Sequence, residues 1–219
     1  MNIIRIYHGS DHIVEKPLFG VGDKHSDYGQ GFYCTTDLEM GKEWANKRTS
    51  SGFVNKYIFD GRGLKVLDLT NKDSYSVLNW IAILMHFREI STANRNLYRR
   101  RLEFLEKRFY VDVREYDVII GYRADDAYFK FPMYFVQNEI SLEKLEEIYH
   151  LGDLGTQIAI MSEKAFNKIK FVDALKVEPI YHERYTKRKK EADERFESFR
   201  IEEINSDKEK LEDLMKKYD

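Results

Sequence analysis

Seven short segments rich in β-branched and aromatic residues are scattered along the chain, at 3–7, 31–35, 53–59, 64–69, 116–121, 156–161 and 170–177. Each reads as a strand. Between them lie stretches with helical patterning: 38–47, 73–110 (two helices parted near Ser91 and Thr92), a segment starting at Ala124, then 141–150, 162–168 and 181–218. A doubly wound sheet would alternate one strand with one helix. Here the intervals are irregular, so the sequence predicts an α+β class in which strands distant in sequence pair with one another.

Local signals refine this reading. Thr36-Asp37-Leu38-Glu39 fits a capping box with Thr36 as N-cap, and Ser206-Asp207-Lys208-Glu209 repeats the pattern. Ser162 reads as an N-cap as well. Asp60-Gly61-Arg62-Gly63 reads as a turn joining strands 53–59 and 64–69. Past Pro179 the composition shifts to dense charge, with 12 basic and 13 acidic residues from Lys176 onward. This divides the chain into a domain over 1–178 and a charged helical extension over 179–219.

Of the 219 residues 42% are hydrophobic, enough for a substantial core, and 34% are charged, above the roughly 25% of ordinary domains. The charges nearly cancel at −2, so no global field selects nucleic acid or membrane. The single cysteine, Cys34, excludes an internal disulfide framework and a multi-cysteine zinc site. His12 and His25 have no partners at metal-ligand spacing, and no metal is expected. Without a long apolar run or a signal peptide, the expectation is a cytoplasmic protein.

Three segments carry chemistry. The first strand runs into Tyr7-His8-Gly9-Ser10. A glycine-flanked aromatic block follows, Asp27-Tyr28-Gly29-Gln30-Gly31-Phe32-Tyr33-Cys34-Thr35-Thr36. A late strand opens with Thr156-Gln157-Ile158-Ala159. Cys34 alternates to the face opposite Tyr33 and reads as packing. The glycine pairs lack the spacing and the strand-to-helix setting of a Rossmann fingerprint.

In this order the segments resemble the ADP-ribosyltransferase fold, in its histidine–tyrosine branch shared with poly-ADP-ribose polymerases and diphtheria-type toxins. More narrowly, they resemble a bacterial family of unknown function with that fold, whose members often sit in toxin–antitoxin or phage-defence operons. Trp44-Ala45, Asp117 to Gly121, Ala124-Asp125-Asp126 and Ser162-Glu163-Lys164-Ala165 extend the likeness over about 3–178. The resemblance implies a split β-sheet core and a mono-ADP-ribosyltransferase that uses NAD as substrate and modifies a protein or nucleic acid, as a toxin or defence effector. It implies catalytic roles for His8, Tyr33 and Gln157, and NAD contacts from His8, Gly9, Ser10, Tyr28, Tyr33 and Thr35. Asp125 and Asp126 are candidates for positioning the acceptor.

The side chains permit these roles. Histidine can bond a ribose hydroxyl, a glycine backbone can grip a carboxamide, and a tyrosine ring can stack on nicotinamide. One departure matters. Many transferases of this fold carry glutamate where this chain has Gln157, and a dipole supports an oxocarbenium-like transition state less than a charge does. Two other readings therefore stand beside transfer: an NAD glycohydrolase, and an inactive module that binds NAD or a partner.

Two further stretches have bland and functional readings. Between Arg88 and Arg114 there are 8 basic and 4 acidic residues with interleaved aromatics. A solvated amphipathic helix explains them better than nucleic-acid contact. The apolar residues of the tail (Phe196, Phe199, Ile201, Ile204, Leu211, Leu214 and Met215) are few, which suggests docking on an antitoxin or second subunit.

Overall fold

The computed structural model describes residues 1–46, 51–124, 129–150 and 155–218. Its strands are β1 (Ile3–Ser10), β2 (Phe32–Cys34), β3 (Gly52–Asp60), β4 (Val66–Asp68), β5 (Val118–Tyr122), β6 (Thr156–Ile160) and β7 (Ile169–Val177). Its α-helices are α1 (Leu38–Ala45), α2 (Val77–Phe87), α3 (Thr92–Leu97), α4 (Arg99–Phe109), α5 (Lys130–Val136), α6 (Leu142–His150), α7 (Glu163–Phe166), α8 (Ile180–Ile204) and α9 (Leu211–Tyr218). The class is α+β.

The strands form two sheets. One is antiparallel, in the order β1-β3-β7, and the other runs β2-β6-β5-β4. In the second sheet only β4 and β5 pair in parallel. The expected hairpin over 53–69 does not form: β3 lies in the first sheet, while β4 crosses to the second and pairs with β5, some fifty residues away. The Asp60–Gly63 turn is real. Asp60 accepts from the Arg62 backbone and guanidinium, but the turn redirects the chain between sheets instead of folding it back. The physical reason is burial: beside β5, Leu67 is fully enclosed in the core built around α2.

Side-chain alternation along the central strands produces layers. On β6, Ile158 and Ile160 face the first sheet and pack with Ile6, Phe32, Cys34, Tyr57, Phe59 and Val118. Ala159 faces the other way, into a larger core built around α2. That helix buries Val77, Leu78 and every residue from Trp80 to Met85, as expected for a helix that is apolar on all sides. Cys34 is buried between the sheets, opposite the face on which Tyr33 lies.

Two helix starts differ from the sequence expectation by one position or more. The N-cap of α1 is Asp37, whose carboxylate accepts from Glu39 N (2.8 Å) and Met40 N (3.2 Å). The Thr36 hydroxyl is passed over because a carboxylate complements the helix N-terminus better. The last helix begins at Leu211, after the Ser206–Glu209 box, with Asp213 accepting from Lys210 N. Starting there lets Leu211 and Leu214 enter the main core. The broad helical region 73–110 breaks where expected and breaks again at Tyr98. Ser162 caps α7 as read, accepting from Ala165 N at 3.2 Å.

The tail docks on its own chain. Phe196 enters the main core, and Phe199 and Met215 pack against it. Lys130 pairs with Asp193 at 2.9 Å, Arg200 with Glu139, and the Glu203 carboxylate accepts from Ser141 N at 3.1 Å, anchoring the start of α6. Ile201 and Ile204 remain exposed. No described helix is long and apolar enough to cross a membrane.

Candidate functional site

The two sheets touch through an isolated antiparallel bridge: Tyr7 N donates to Thr35 O at 2.8 Å, and Thr35 N to Tyr7 O at 2.9 Å. Continued by one more step, that register would pair Gly9 with Tyr33. The strands part instead, and the His8 imidazole reaches across so that Nδ1 lies 2.7 Å from the Tyr33 carbonyl. A carbonyl only accepts, so Nδ1 carries the proton, and Nε2 of the neutral ring is an acceptor. Burial lowers the His8 pKa from its ordinary value, against the Tyr33 carbonyl, which raises it.

A cavity of about 250 Å³ opens where the ladder splits, lined by His8, Gly9, Ser26, Asp27, Tyr33, Trp44, Arg88, Arg123, Ala124 and Gln157. Thus His8, Gly9, Tyr33 and Gln157, spread over 150 residues of sequence, meet at one opening. Alternation explains part of this. Tyr33 pairs with Ala159, and Gln157 lies two residues along from it, so both side chains stand on the same face of the second sheet.

Gly9 is needed for packing as well. A Cβ on it would sit 2.4 Å from Ala45 N and from Gly41 O, so only glycine lets α1 close on β1 and bring Trp44 to the cavity. In an antiparallel ladder the backbone groups of Gly9 turn to the same side as those of Tyr7, toward the opening. The Tyr33 ring is fixed from its far end. Its hydroxyl donates to Gly29 O (2.7 Å) and accepts from Tyr28 N (3.0 Å). Gly29 has φ +84°, and a Cβ there would strike the Phe87 ring, so the loop turn depends on glycine.

Gln157 is buried. Its Nε2 donates to Asp27 Oδ2 at 2.7 Å and to Tyr122 O at 3.2 Å. Both partners are acceptors, which fixes the orientation of the amide. Tyr122 O also receives Tyr28 Oη (2.6 Å) and Trp80 Nε1 (3.0 Å). Asp27 Oδ2 further accepts from Ala124 N at 2.8 Å, and Arg88 stands 3.7 Å from Oδ1. Burial raises the Asp27 pKa, opposed by the Ala124 N–H, Arg88, Gln157 and Arg123. Arg123 lies over the Trp44 ring at 4.7 Å and Arg88 over the Phe129 ring at 5.0 Å. Both arginine side chains stand on the cavity wall.

The other sequence candidates lie apart from the lining. Tyr28 is fully buried behind Tyr33, the rings near-parallel with centroids 6.4 Å apart. Thr35 is buried and holds the inter-sheet bridge, its hydroxyl accepting from Asp37 N. The Ser10 hydroxyl donates to His12 O (2.6 Å) and accepts from Asn55 Nδ2 (2.9 Å). Asp125 and Asp126 lie outside the described residues, although Ala124 just before them lines the cavity.

Sequence reasoning missed Ser26, Asp27, Trp44, Arg88, Arg123 and Ala124 as lining residues. Asp27 and Trp44 stood in plain sight within the quoted blocks. The two arginines gave no local signal, because each sits just past the end of an apolar element. A larger cavity of about 560 Å³ lies between α3, α4 and α9, lined by Tyr98, Arg99 to Arg101, Glu212 and Lys216 among others. It holds none of the candidate residues, and it is the surface of the basic stretch. Among the described residues no three histidine, cysteine, aspartate or glutamate side chains are grouped as metal ligands.

Fold and site together define an α+β protein with two sheets and a polar cavity where they part. The chain belongs to the family described as "Protein of unknown function (DUF3990)", whose model matches residues 4–171. No curated protein and no solved structure matches it.

Proposed function

We propose that this protein is an NAD-dependent mono-ADP-ribosyltransferase acting on a protein or nucleic acid, a cytoplasmic bacterial toxin or defence effector, with the split-sheet core of that fold. The carrying observation is the split ladder itself: His8 and Tyr33 form its two lips, with Gly9 beside them and Gln157 behind. The volume of about 250 Å³ is below the roughly 300–1,000 Å³ of whole-ligand pockets and suits one end of a dinucleotide.

In this reading the nicotinamide stacks on Tyr33, its carboxamide meets the Gly9 backbone, and His8 Nε2 accepts from a ribose hydroxyl. The glycosidic C1′–N bond breaks, and its electron pair leaves with nicotinamide, neutralising the pyridinium. The acceptor's lone pair then bonds C1′, and the acceptor's proton passes to solvent. Gln157 supports the ribose as positive charge develops. Ile201 and Ile204, on the exposed side of α8, offer an antitoxin or partner subunit a small apolar foothold.

Incubating the purified chain with adenylate-labelled NAD and a bacterial lysate tests this. Label on protein or RNA is expected. Free ADP-ribose equal to the nicotinamide released, with nothing labelled, would favour hydrolysis. NAD binding without nicotinamide release would favour the inactive module.

A further inference from the structure

Within the described residues, Asp27 is a buried carboxylate on the cavity wall, 6% exposed, and it sits on the amide of Gln157. A charge held away from water costs stability unless donors surround it. Here an amide N–H (Ala124), a side-chain amide (Gln157) and a guanidinium (Arg88) converge on its two oxygens. Gln157 and Arg88 also line the cavity, so their contacts tie the carboxylate to the site as well as anchoring the loop.

We propose that Asp27 is the anionic member of this site, a positioning residue that acts through Gln157 and supplies the negative charge that glutamine lacks. This rests on the transferase reading above. Gln157 commits its NH2 group to Asp27 and Tyr122, so Oε1 is the end of the amide available to a ribose hydroxyl. Donation to a carboxylate polarises the amide and makes Oε1 a better acceptor. The charge then lies one side chain farther from the ribose than a glutamate would hold it. Asp27 and Gln157 together do the work of one acid.

The test uses the full chain and nicotinamide release at saturating NAD. Asparagine keeps an acceptor for Ala124 N–H, so a loop-anchoring role would survive Asp27→Asn. A charge role would not. Asp27→Asn should lower kcat by about a hundredfold, in the range seen when one transition-state contact is lost, with KM for NAD changed less than threefold. The exchange Asp27→Asn/Gln157→Glu keeps one carboxylate in the pair and should recover kcat to within about tenfold of wild type. Tyr28 and Trp80 still donate to Tyr122 O there.

Wild-type kcat in a folded Asp27→Asn chain overturns the role of Asp27 and leaves the transferase reading intact. A wild-type chain that neither binds NAD nor releases nicotinamide overturns both. If Asp27→Asn does not fold, the exchange variant decides: kcat more than about tenfold below wild type in a chain with a cooperative thermal transition overturns the proposal.

Discussion

Gln157 and Asp27, 130 residues apart in sequence, share a buried hydrogen bond of 2.7 Å. The bond ties β6, an inner strand of the second sheet, to the loop that precedes β2. Removing the amide leaves the carboxylate one donor short and the Tyr122 carbonyl with two donors instead of three. Gln157→Ala should therefore destabilise the fold by about 1–3 kcal/mol and lower nicotinamide release more than NAD affinity. Titration calorimetry and turnover measured side by side check this, and unchanged turnover would remove Gln157 from the site.

Tyr33→Phe looks conservative in sequence, but the hydroxyl closes the loop at Tyr28 and Gly29. Its loss leaves one N–H and one carbonyl unpaired, a cost of about 1–3 kcal/mol. Thermal unfolding should show a clear drop for Tyr33→Phe. Tyr33→Ala should in addition lose about 1–3 kcal/mol of NAD binding through the missing ring.

Gly9→Ala inserts a methyl into the α1 backbone. Overpacking of this kind costs about 1–3 kcal/mol. The helix should move off β1 and take Trp44 with it, so a shift in tryptophan fluorescence should accompany a lower unfolding midpoint.

In the transferase reading NAD lies against Arg88 and Arg123 on the cavity wall. Arg123→Gln should weaken NAD binding by about 1.5–3 kcal/mol, the range for a hydrogen bond to a charged group. It should also flatten the dependence of NAD affinity on ionic strength. Affinity equal to wild type at low salt would show that the dinucleotide runs elsewhere.

Stability should depend on pH through two opposed groups. His8 lies below its ordinary value of 6.5, chiefly through burial, so the unfolded chain binds its proton more readily. Its contribution is present above 6.5 and is lost as pH falls through the folded value. Asp27 lies above its ordinary value of 3.8, also chiefly through burial. Its contribution is present below 3.8 and is lost as pH rises through the folded value. Urea midpoints from pH 3 to 8 should show His8→Gln flattening the loss below neutrality and Asp27→Asn flattening the loss on the rise from acid. Slopes equal to wild type in both variants would contradict these environments.

All seven strands and most helices were legible in the sequence, because β-branched runs, apolar periodicity and N-cap residues are local properties. Ser162, the break near Ser91 and the face of Cys34 follow from neighbours a few residues away. Local signals erred where two chemistries competed nearby, as when Asp37 displaced Thr36 as the cap. They also erred where a turn was mistaken for a pairing, as between β3 and β4.

What the sequence alone determined was the set of elements and four of the residues that meet at the cavity. Tertiary structure decided the rest: which sheet received each strand, and where the ladder splits. It also drew Asp27, Arg88 and Arg123 into the lining and held Ser10, Tyr28 and Thr35 outside it. The reason is that a hydrogen bond such as that between Asp27 and Gln157 has no signature in either segment. It exists only once burial has removed the water that each partner would otherwise bond and the fold has brought the two segments within reach of each other.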